Sequence, residues 1–362
     1  MRTFAARRAG RFLPAAGLAA LAVALAVSAK AGTIYNFTSF DGPGNNNGGT
    51  TVNGINNNGD VVGFSSDNAN APTLFTNFIR NSNGTITPLN FGGDPLAMAN
   101  GINDSLSVVG GTSNGKAFVT VAGTPVLLAN VNVTTASQTA FGINDNGLIV
   151  GQYVDNLTDT TPGYLLANGT YTILNPTVTA AVTNAQGVNN NGLVTGFFSS
   201  DGVHQHGFFY NSVTQSYQLA PDPNIPNLVL TQFLGINDNG IVAGYYQLPD
   251  GSQHGLLFNS NTSSYTFLDD PNAAQSGLSI TQITGINDSG EIAGFYVDST
   301  TGVQRGFVAT ASAAVPEPGT FGLAFGALFA IVLGGATFRS RPTRLSELPT
   351  PSPSYRQDVA TR

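Results

Sequence analysis

The sequence lacks cysteine and tryptophan, and it has few charged residues. Of its 362 residues only 9% are charged, well below the roughly 25% of an average soluble domain. The absence of cysteine excludes a disulfide framework, a thiolate zinc site and a cysteine nucleophile. The length allows one large domain or two ordinary ones.

Basic residues are scarce in the long central segment. Between Gly32 and Ala314 the only basic residues are Arg80, Lys116 and Arg305, against seventeen Asp plus Glu, which gives a net charge of −14. A surface this acidic repels phosphate backbones, so we expect no nucleic-acid partner. The other basic residues lie near the two ends of the chain, where we interpret them as export and topology signals.

The first 31 residues have the order of a secretory signal peptide. Four arginines precede an apolar run over 15–27, and Ala29 and Ala31 follow in an A-x-A pattern. We predict cleavage after Ala31 and export of the rest of the chain. The alternative, a retained membrane helix, would need a longer apolar run.

The other end carries an apolar run followed by arginines. Phe321 to Phe338 is uncharged and about long enough to cross a bilayer as a helix, and Arg339 and Arg341 follow it. The arginines predict a cytoplasmic end, with the large domain on the other side of the membrane. The simplest interpretation is a C-terminal membrane anchor.

The residues before this helix suggest a more specific signal. Pro316-Glu317-Pro318, the apolar run and the arginines, in that order over residues 315–344, resemble the PEP-CTERM sorting signal of bacterial surface proteins. The resemblance implies that an exosortase, a membrane cysteine transpeptidase, recognises and processes this segment. Residues 345–362 depart from the family by continuing beyond the arginines, and their polar, proline-containing sequence predicts a disordered tail.

Six copies of one motif occupy the segment between the two signals. The copies are GINNNGDVVG from Gly54, GINDSLSVVG from Gly101, GINDNGLIVG from Gly142, GVNNNGLVTG from Gly187, GINDNGIVAG from Gly235 and GINDSGEIAG from Gly285. A period in the forties is typical of propeller blades or of paired-helix solenoids. Short stretches of Val, Ile, Thr, Phe and Tyr between turn residues favour strands. The fifth repeat divides into four such strands, enough for one blade.

The asparagines of the motif predict hairpin turns. Asn and Asp side chains bond to nearby backbone groups, and the following glycine accepts left-handed torsions. The predicted turn residues are Asn56, Asn103, Asn144, Asn189, Asn237 and Asn287. The alternative is calcium binding, although the alternating ligands of an EF-hand are absent. Each closing glycine, such as Gly151, falls inside a strand, where it would let backbones approach closely.

A second landmark follows each of the last five motifs. It reads KAFVT at Lys116, PGYLL at Pro162, HGFFY at His206, HGLLF at His254 and RGFVA at Arg305. Together with the Gly-Ile-Asn motif, these triplets resemble the HAF family of bacterial extracellular repeats, which implies an extracellular setting and no assigned activity. Because lysine, proline and arginine replace histidine at this position, we predict a structural role for the histidines and neither a Ser-His-Asp triad nor a three-histidine metal site.

The two ends of the repeat array predict a closed ring. The sixth repeat lacks a fourth strand after Arg305, and Tyr35-Asn36-Phe37 near the N-terminus matches Tyr265-Thr266-Phe267, a fourth strand of the fifth repeat. A strand displaced in this way leaves no unpaired edge when the ends of a ring join. We therefore predict an all-β, six-bladed β-propeller over residues 32–314, with a linear β-solenoid as the alternative.

Three functional classes fit these features. The first is a surface or matrix protein without catalytic activity or cofactor, which presents propeller loops to a glycan or a protein. The second is a glycan-active enzyme with two carboxylates at the mouth of the propeller, although Glu291 is the only glutamate of the domain and several aspartates fall in repeat turns. The third is a calcium-dependent adhesin, which the acidic charge favours.

Overall fold

The computed structural model describes residues 33–44, 48–275 and 277–312. Within these ranges the chain forms 24 strands in six four-stranded antiparallel sheets. The predicted all-β, six-bladed propeller is therefore confirmed. The predicted signal peptide, sorting signal and tail lie outside the described residues, and so do Pro316, Glu317, Pro318, Arg339 and Arg341. Among the residues described, no helix is long and apolar enough to span a membrane.

Each sheet is one blade, built from the axis outwards. Blade I holds β2 (Thr50–Ile55), β3 (Val61–Ser66), β4 (Phe75–Arg80) and β5 (Ile86–Leu89); blade II holds β6 (Met98–Ile102), β7 (Val108–Gly111), β8 (Ala117–Val121) and β9 (Thr124–Leu127); blade III holds β10 (Thr135–Ile143), β11 (Ile149–Asp155), β12 (Gly163–Ala167) and β13 (Thr170–Leu174). Blade IV holds β14 (Val182–Val188), β15 (Leu193–Ser199), β16 (His206–Asn211) and β17 (Ser216–Leu219); blade V holds β18 (Leu230–Ile236), β19 (Ile241–Gln247), β20 (Gln253–Asn259) and β21 (Ser264–Phe267).

Blade VI joins the two ends of the repeat array. Its first three strands are β22 (Thr281–Ile286), β23 (Ile292–Val297) and β24 (Gln304–Ser312), and its outer strand is β1 (Ile34–Phe40). β1 pairs antiparallel with β24 from Ile34 opposite Ser312 to Phe40 opposite Gly306. The predicted closure by the N-terminal strand is confirmed, and the linear solenoid is wrong because the first and last repeats meet.

The hydrophobic core lies between neighbouring blades. At the junction of blades VI and I, Ala293 packs with Val52, Val61 and Phe78, and all four side chains are fully buried. Apolar clusters of the same kind lie at the other five junctions. Each blade thus depends on both neighbours for the burial that stabilises it.

The innermost strands contain a bulge that explains the closing glycine. In β10 the register with β11 shifts between Ala140 and Gly142, so Phe141 has no partner on the neighbouring strand. Gly151 lies opposite Ala140, and a Cβ built on it would collide with the carbonyl oxygen of Thr139. The same shift and the same collision occur in all six blades. The predicted close approach of backbones at these glycines is confirmed.

The connections divide the propeller into two faces. Hairpins between first and second strands, and between third and fourth strands, lie at one end, which we call the turn face. Connections between second and third strands, and between successive blades, lie at the opposite end, which we call the loop face. β24 ends and β1 begins at the turn face, because they are the third and fourth strands of their blade.

Candidate functional site

The repeated asparagine closes a hairpin in each blade. In blade III the Gly147 N–H donates to the Asn144 carbonyl at 3.2 Å, and the Asn144 N–H donates to the Leu148 carbonyl at 3.1 Å. Gly147 has a φ of 77°, in the left-handed region that favours glycine. The Asn144 side-chain oxygen also accepts from the Leu148 N–H at 2.9 Å. These bonds are the turn chemistry expected from the sequence.

The amide nitrogen of the same asparagine makes a second bond, to the next blade. Asn144 Nδ2 donates to the Asn189 carbonyl at 2.8 Å, and Asn287 Nδ2 closes the circle by donating to the Asn56 carbonyl at 3.2 Å. The four other turns repeat this bond, so all six asparagines form one closed ring. Every member is at least nine-tenths buried. We call this the asparagine ring. Each position needs one side chain that both donates and accepts a hydrogen bond, and an ionised aspartate has no donor.

The next residue of each turn forms a second ring, of which two members are exposed and four are half-buried. The Asp104 N–H donates to Asp145 Oδ1 at 2.8 Å, and the Asp145 N–H donates to Asn190 Oδ1 at 2.9 Å. The pattern continues through all six blades and closes when the Asp288 N–H donates to Asn57 Oδ1 at 2.9 Å. The bond that continues this ring needs only a side-chain acceptor, which both Asp and Asn supply. Asn57 and Asn190 also donate Nδ2 to the neighbouring Asp104 and Asp145.

The axis between the blades offers little room for a ligand. The two rings and the six Ile or Val side chains of the motif surround a cavity of about 70 Å³ near the turn face. A second cavity of about 90 Å³ follows along the opening glycines of the motif. Pockets that hold small molecules usually measure roughly 300–1,000 Å³. The narrow axis follows from the opening glycines, since a Cβ on Gly142 would lie 3.3 Å from the Gly187 Cα in the next blade.

The loop face carries most of the charge and many exposed apolar side chains. Eleven of the seventeen acidic residues lie there: Asp41, Asp67, Asp94, Asp155, Asp159, Asp201, Asp222, Asp250, Asp269, Asp270 and Asp298. The connections also expose apolar side chains: Leu74, Val133, Leu157, Val178, Val203 and Leu278. Val133 and Val178 are fully exposed. This face therefore combines negative charge with apolar contact area.

Hydrogen bonds within the loops keep several of these carboxylates ionised. The Thr73 hydroxyl and backbone N–H lower the pKa of Asp67, and the Thr301 and Thr300 N–H groups lower the pKa of Asp298. Asp270 is the exception, because its burial raises the pKa of its carboxyl group. Asp270 Oδ2 is also fully buried without a hydrogen-bond partner.

In blades II, IV, V and VI the second landmark is a clamp between third and fourth strands; Pro162 of blade III has no polar side chain to form one. His254 Nδ1 pairs with Asp269 Oδ2 at 2.7 Å, and Arg305 pairs with both carboxylate oxygens of Asp41 at 3.0 and 3.1 Å. Lys116 Nζ donates to Asn130 Oδ1 at 3.0 Å in the same position of blade II. The clamp accepts any of these basic residues and joins the start of a third strand to the end of its fourth strand. This arrangement fits the structural role predicted for the histidines at this landmark.

Sequence reasoning missed two features of these sites. The asparagine ring joins residues 41 to 50 positions apart, and 231 apart at the closing bond, while hairpin chemistry alone already accounted for the same residues. The acidic partner of the clamp in blade IV was also missed: Asp222 lies 2.9 Å from His206. Within the described ranges, no group of three or more His, Asp or Glu side chains is arranged to hold a metal ion.

Comparisons with known proteins give distant structural matches. No family model matches the chain, and no curated protein matches it. A protein of unknown function from Dyadobacter fermentans is 11% identical, with a TM-score of 0.45 over 76% of this chain and 99% of its own. TolB from Acinetobacter baumannii is 11% identical, with a TM-score of 0.44 over 74% of this chain and 65% of its own. The β-propeller domain of the Trilobed protease from Pyrococcus furiosus is 9% identical, with a TM-score of 0.37 over 74% of this chain and 100% of its own.

Proposed function

We propose that this chain is an exported repeat protein without catalytic activity, held at the cell surface or in the extracellular matrix, that binds a glycan or a protein through its loop face. One observation carries the proposal: the residues that all six repeats share hold the ring together, whereas the loop face varies from blade to blade. Rigid scaffolds commonly carry binding residues on such variable loops.

The sequence signals support the setting of this function. The order of signal peptide, repeat domain, Pro316-Glu317-Pro318, apolar run and Arg339 and Arg341 is the order of an exosortase-sorted surface protein. An exosortase-type transpeptidase is therefore the proposed processing partner, and the apolar run is the proposed membrane contact. Replacing Pro316, Glu317 and Pro318 with alanine in the native host should leave an unprocessed, membrane-retained form. Identical size and location of variant and wild type would instead favour a plain anchor.

The narrow propeller axis argues against a glycan-active enzyme with two carboxylates at the mouth of the propeller. A glycosidase needs two carboxylates that face each other across a bound sugar, at about 5–10 Å. At the turn face, one oxygen of each ring aspartate already accepts an N–H from the preceding blade, and the cavity of about 70 Å³ is smaller than a ligand pocket. Hydrolysis of any glycan by the purified protein would overturn the non-catalytic assignment.

Binding through the loop face can be tested with a matched control. Wild type and variants of the full chain would be screened on a glycan array and in pull-downs, each with calcium and with chelator. Val133→Ser plus Val178→Ser changes two fully exposed side chains of the loop face, while Val213→Ser changes a 79% exposed side chain of the turn face. We expect the double variant to lose binding and Val213→Ser to retain it. Equal losses of binding in the double variant and in Val213→Ser would contradict a loop-face site. So would binding that requires calcium and is unaffected by either variant.

A further inference from the structure

Blade IV contains a pocket beside its clamp. It measures about 440 Å³, lies at the loop face, and is lined by His204, His206, Asp201, Asp222 and the ring of Phe198, among others. This volume is within the range of small-molecule sites. Two of the three histidines of the chain thus line one pocket.

Each histidine is held through the same ring nitrogen. His204 Nδ1 lies 2.6 Å from Asp201 Oδ2, and His206 Nδ1 lies 2.9 Å from Asp222 Oδ2. An ionised carboxylate only accepts hydrogen bonds, so Nδ1 carries the proton and Nε2 of a neutral ring keeps its lone pair. The two histidine side chains are 57% and 42% exposed, which leaves them accessible from solvent.

The clamp accounts for His206 and leaves His204 unexplained. The clamps of blades II, V and VI work with Asn114, Ser252 and Val303 two residues before the clamping side chain, where blade IV has His204. Ring closure and blade packing therefore do not require a histidine at this position. His204 nevertheless has a carboxylate partner of its own, Asp201, and the backbone N–H of His204 also donates to the Asp201 carboxylate at 2.8 Å.

We propose that His204 and His206 bind a divalent late transition-metal ion, Zn²⁺ or Cu²⁺, through their Nε2 atoms. Imidazole is a preferred ligand of both ions. Metal-binding histidines almost always donate their other ring N–H to a carboxylate or carbonyl, which fixes the tautomer and makes the ligand more basic. Asp201 and Asp222 fill this orienting role. Water or a ligand from a bound partner completes the coordination, so the site is open.

The experiment is a calorimetric titration of the full chain, without a polyhistidine tag, with Zn²⁺ in a non-coordinating buffer. We expect one ion to bind, and we expect His204→Ala and His206→Ala each to weaken binding at least tenfold. Asp201→Asn should weaken it by about 10- to 100-fold, the usual effect of losing an orienting partner. His254→Ala is the matched control, because it removes a clamping histidine that has Ser252 in place of a second one, and it should bind as wild type does.

Two results would overturn the proposal. The first is a wild-type protein that binds no Zn²⁺, and the second is an equal loss in His204→Ala and His254→Ala, which would indicate a general effect on the fold. His204 is the more secure test because its exposed side chain lies outside any strand. Electron paramagnetic resonance of Cu²⁺ bound to the wild type should show two imidazole nitrogens, and only one or none in His204→Ala.

Discussion

The change of Asn144 to Asp tests the asparagine ring at one atom. It replaces the Nδ2 donor with an oxygen and leaves size and shape almost unaltered. The Asn189 carbonyl then loses its donor, and the buried oxygen that replaces Nδ2 faces this carbonyl without a donor of its own. An unsatisfied buried group costs roughly 1–3 kcal/mol and an uncompensated buried charge roughly 3–5 kcal/mol, so we expect a loss of about 3 kcal/mol. The bond from the Leu148 N–H survives, which keeps the hairpin itself intact.

Thermal and urea unfolding would measure this loss. A domain of this size loses roughly 2–4 °C of melting temperature per kcal/mol, so the expected decrease is about 6–12 °C. Asp145→Asn is the control in the second ring. Its side-chain oxygen can still accept the Asp104 N–H, and the bond that it loses, from Asn190 Nδ2 to Asp145 Oδ2 at 2.8 Å, is exposed, so stability should change by about 1 kcal/mol or less.

Acid should rescue the Asn144→Asp variant. A protonated carboxyl group carries an O–H donor that can bond to the Asn189 carbonyl, so folding raises the pKa of the new Asp above its unfolded value of about 3.9. The deficit relative to wild type is then full at neutral pH and shrinks as the pH falls through the raised pKa. Equal stability of Asn144→Asp and Asp145→Asn at pH 7 would refute the ring. A calcium-dependent loss confined to Asp145→Asn would assign this turn to metal binding instead.

Three further predictions concern stability. Ala122→Asn should stabilise the protein by about 0.5–1 kcal/mol in urea unfolding. Ala122 has a left-handed φ of 49°, and the corresponding hairpin of blade III has Asn168, a residue type that tolerates such torsions better. No gain in stability would mean that Ala122 does not strain the turn. Deleting Thr33–Asp41 should abolish cooperative thermal unfolding, since it removes the outer strand of blade VI; an unchanged melting profile would contradict closure by β1. Asp270→Asn should raise the urea midpoint relative to wild type at pH 7 and lose that advantage near pH 4. The pKa of the buried Asp270 carboxyl is raised, so wild-type stability falls as the pH rises through this pKa. A difference in midpoint that does not change with pH would show that ionisation of Asp270 does not destabilise the fold.

The sequence predicted the fold because each level of the pattern agreed with the next. The period set the blade size, the residue types set strands rather than helices, and Tyr35-Asn36-Phe37 identified the displaced outer strand. Closing glycines such as Gly151 were predictable as points of close approach, since few other reasons place glycine inside a strand. The opening glycines were not interpreted, because their neighbours belong to the next blade.

The ring and the clamp were harder to predict for physical reasons. In the motif, all six repeats have asparagine at the first turn position and mix Asn with Asp at the second. That difference was the available sign that the first position needs a donor, but hairpin propensity treats both residues alike. Asp222 was missed because the spacing between clamp residues varies: Asp222 lies 16 residues after His206, whereas Asp269 lies 15 residues after His254.

The asparagine ring also bears on how such a chain can evolve. Each bond runs from a side chain of one repeat to a backbone carbonyl of the next, so it survives whatever side chain the next repeat carries. A repeat copied by gene duplication would bring its half of the joint with it and fit beside any sibling. Selection can then diversify the second-to-third-strand and blade-to-blade segments of each copy independently, without any compensating change in the adjacent copies.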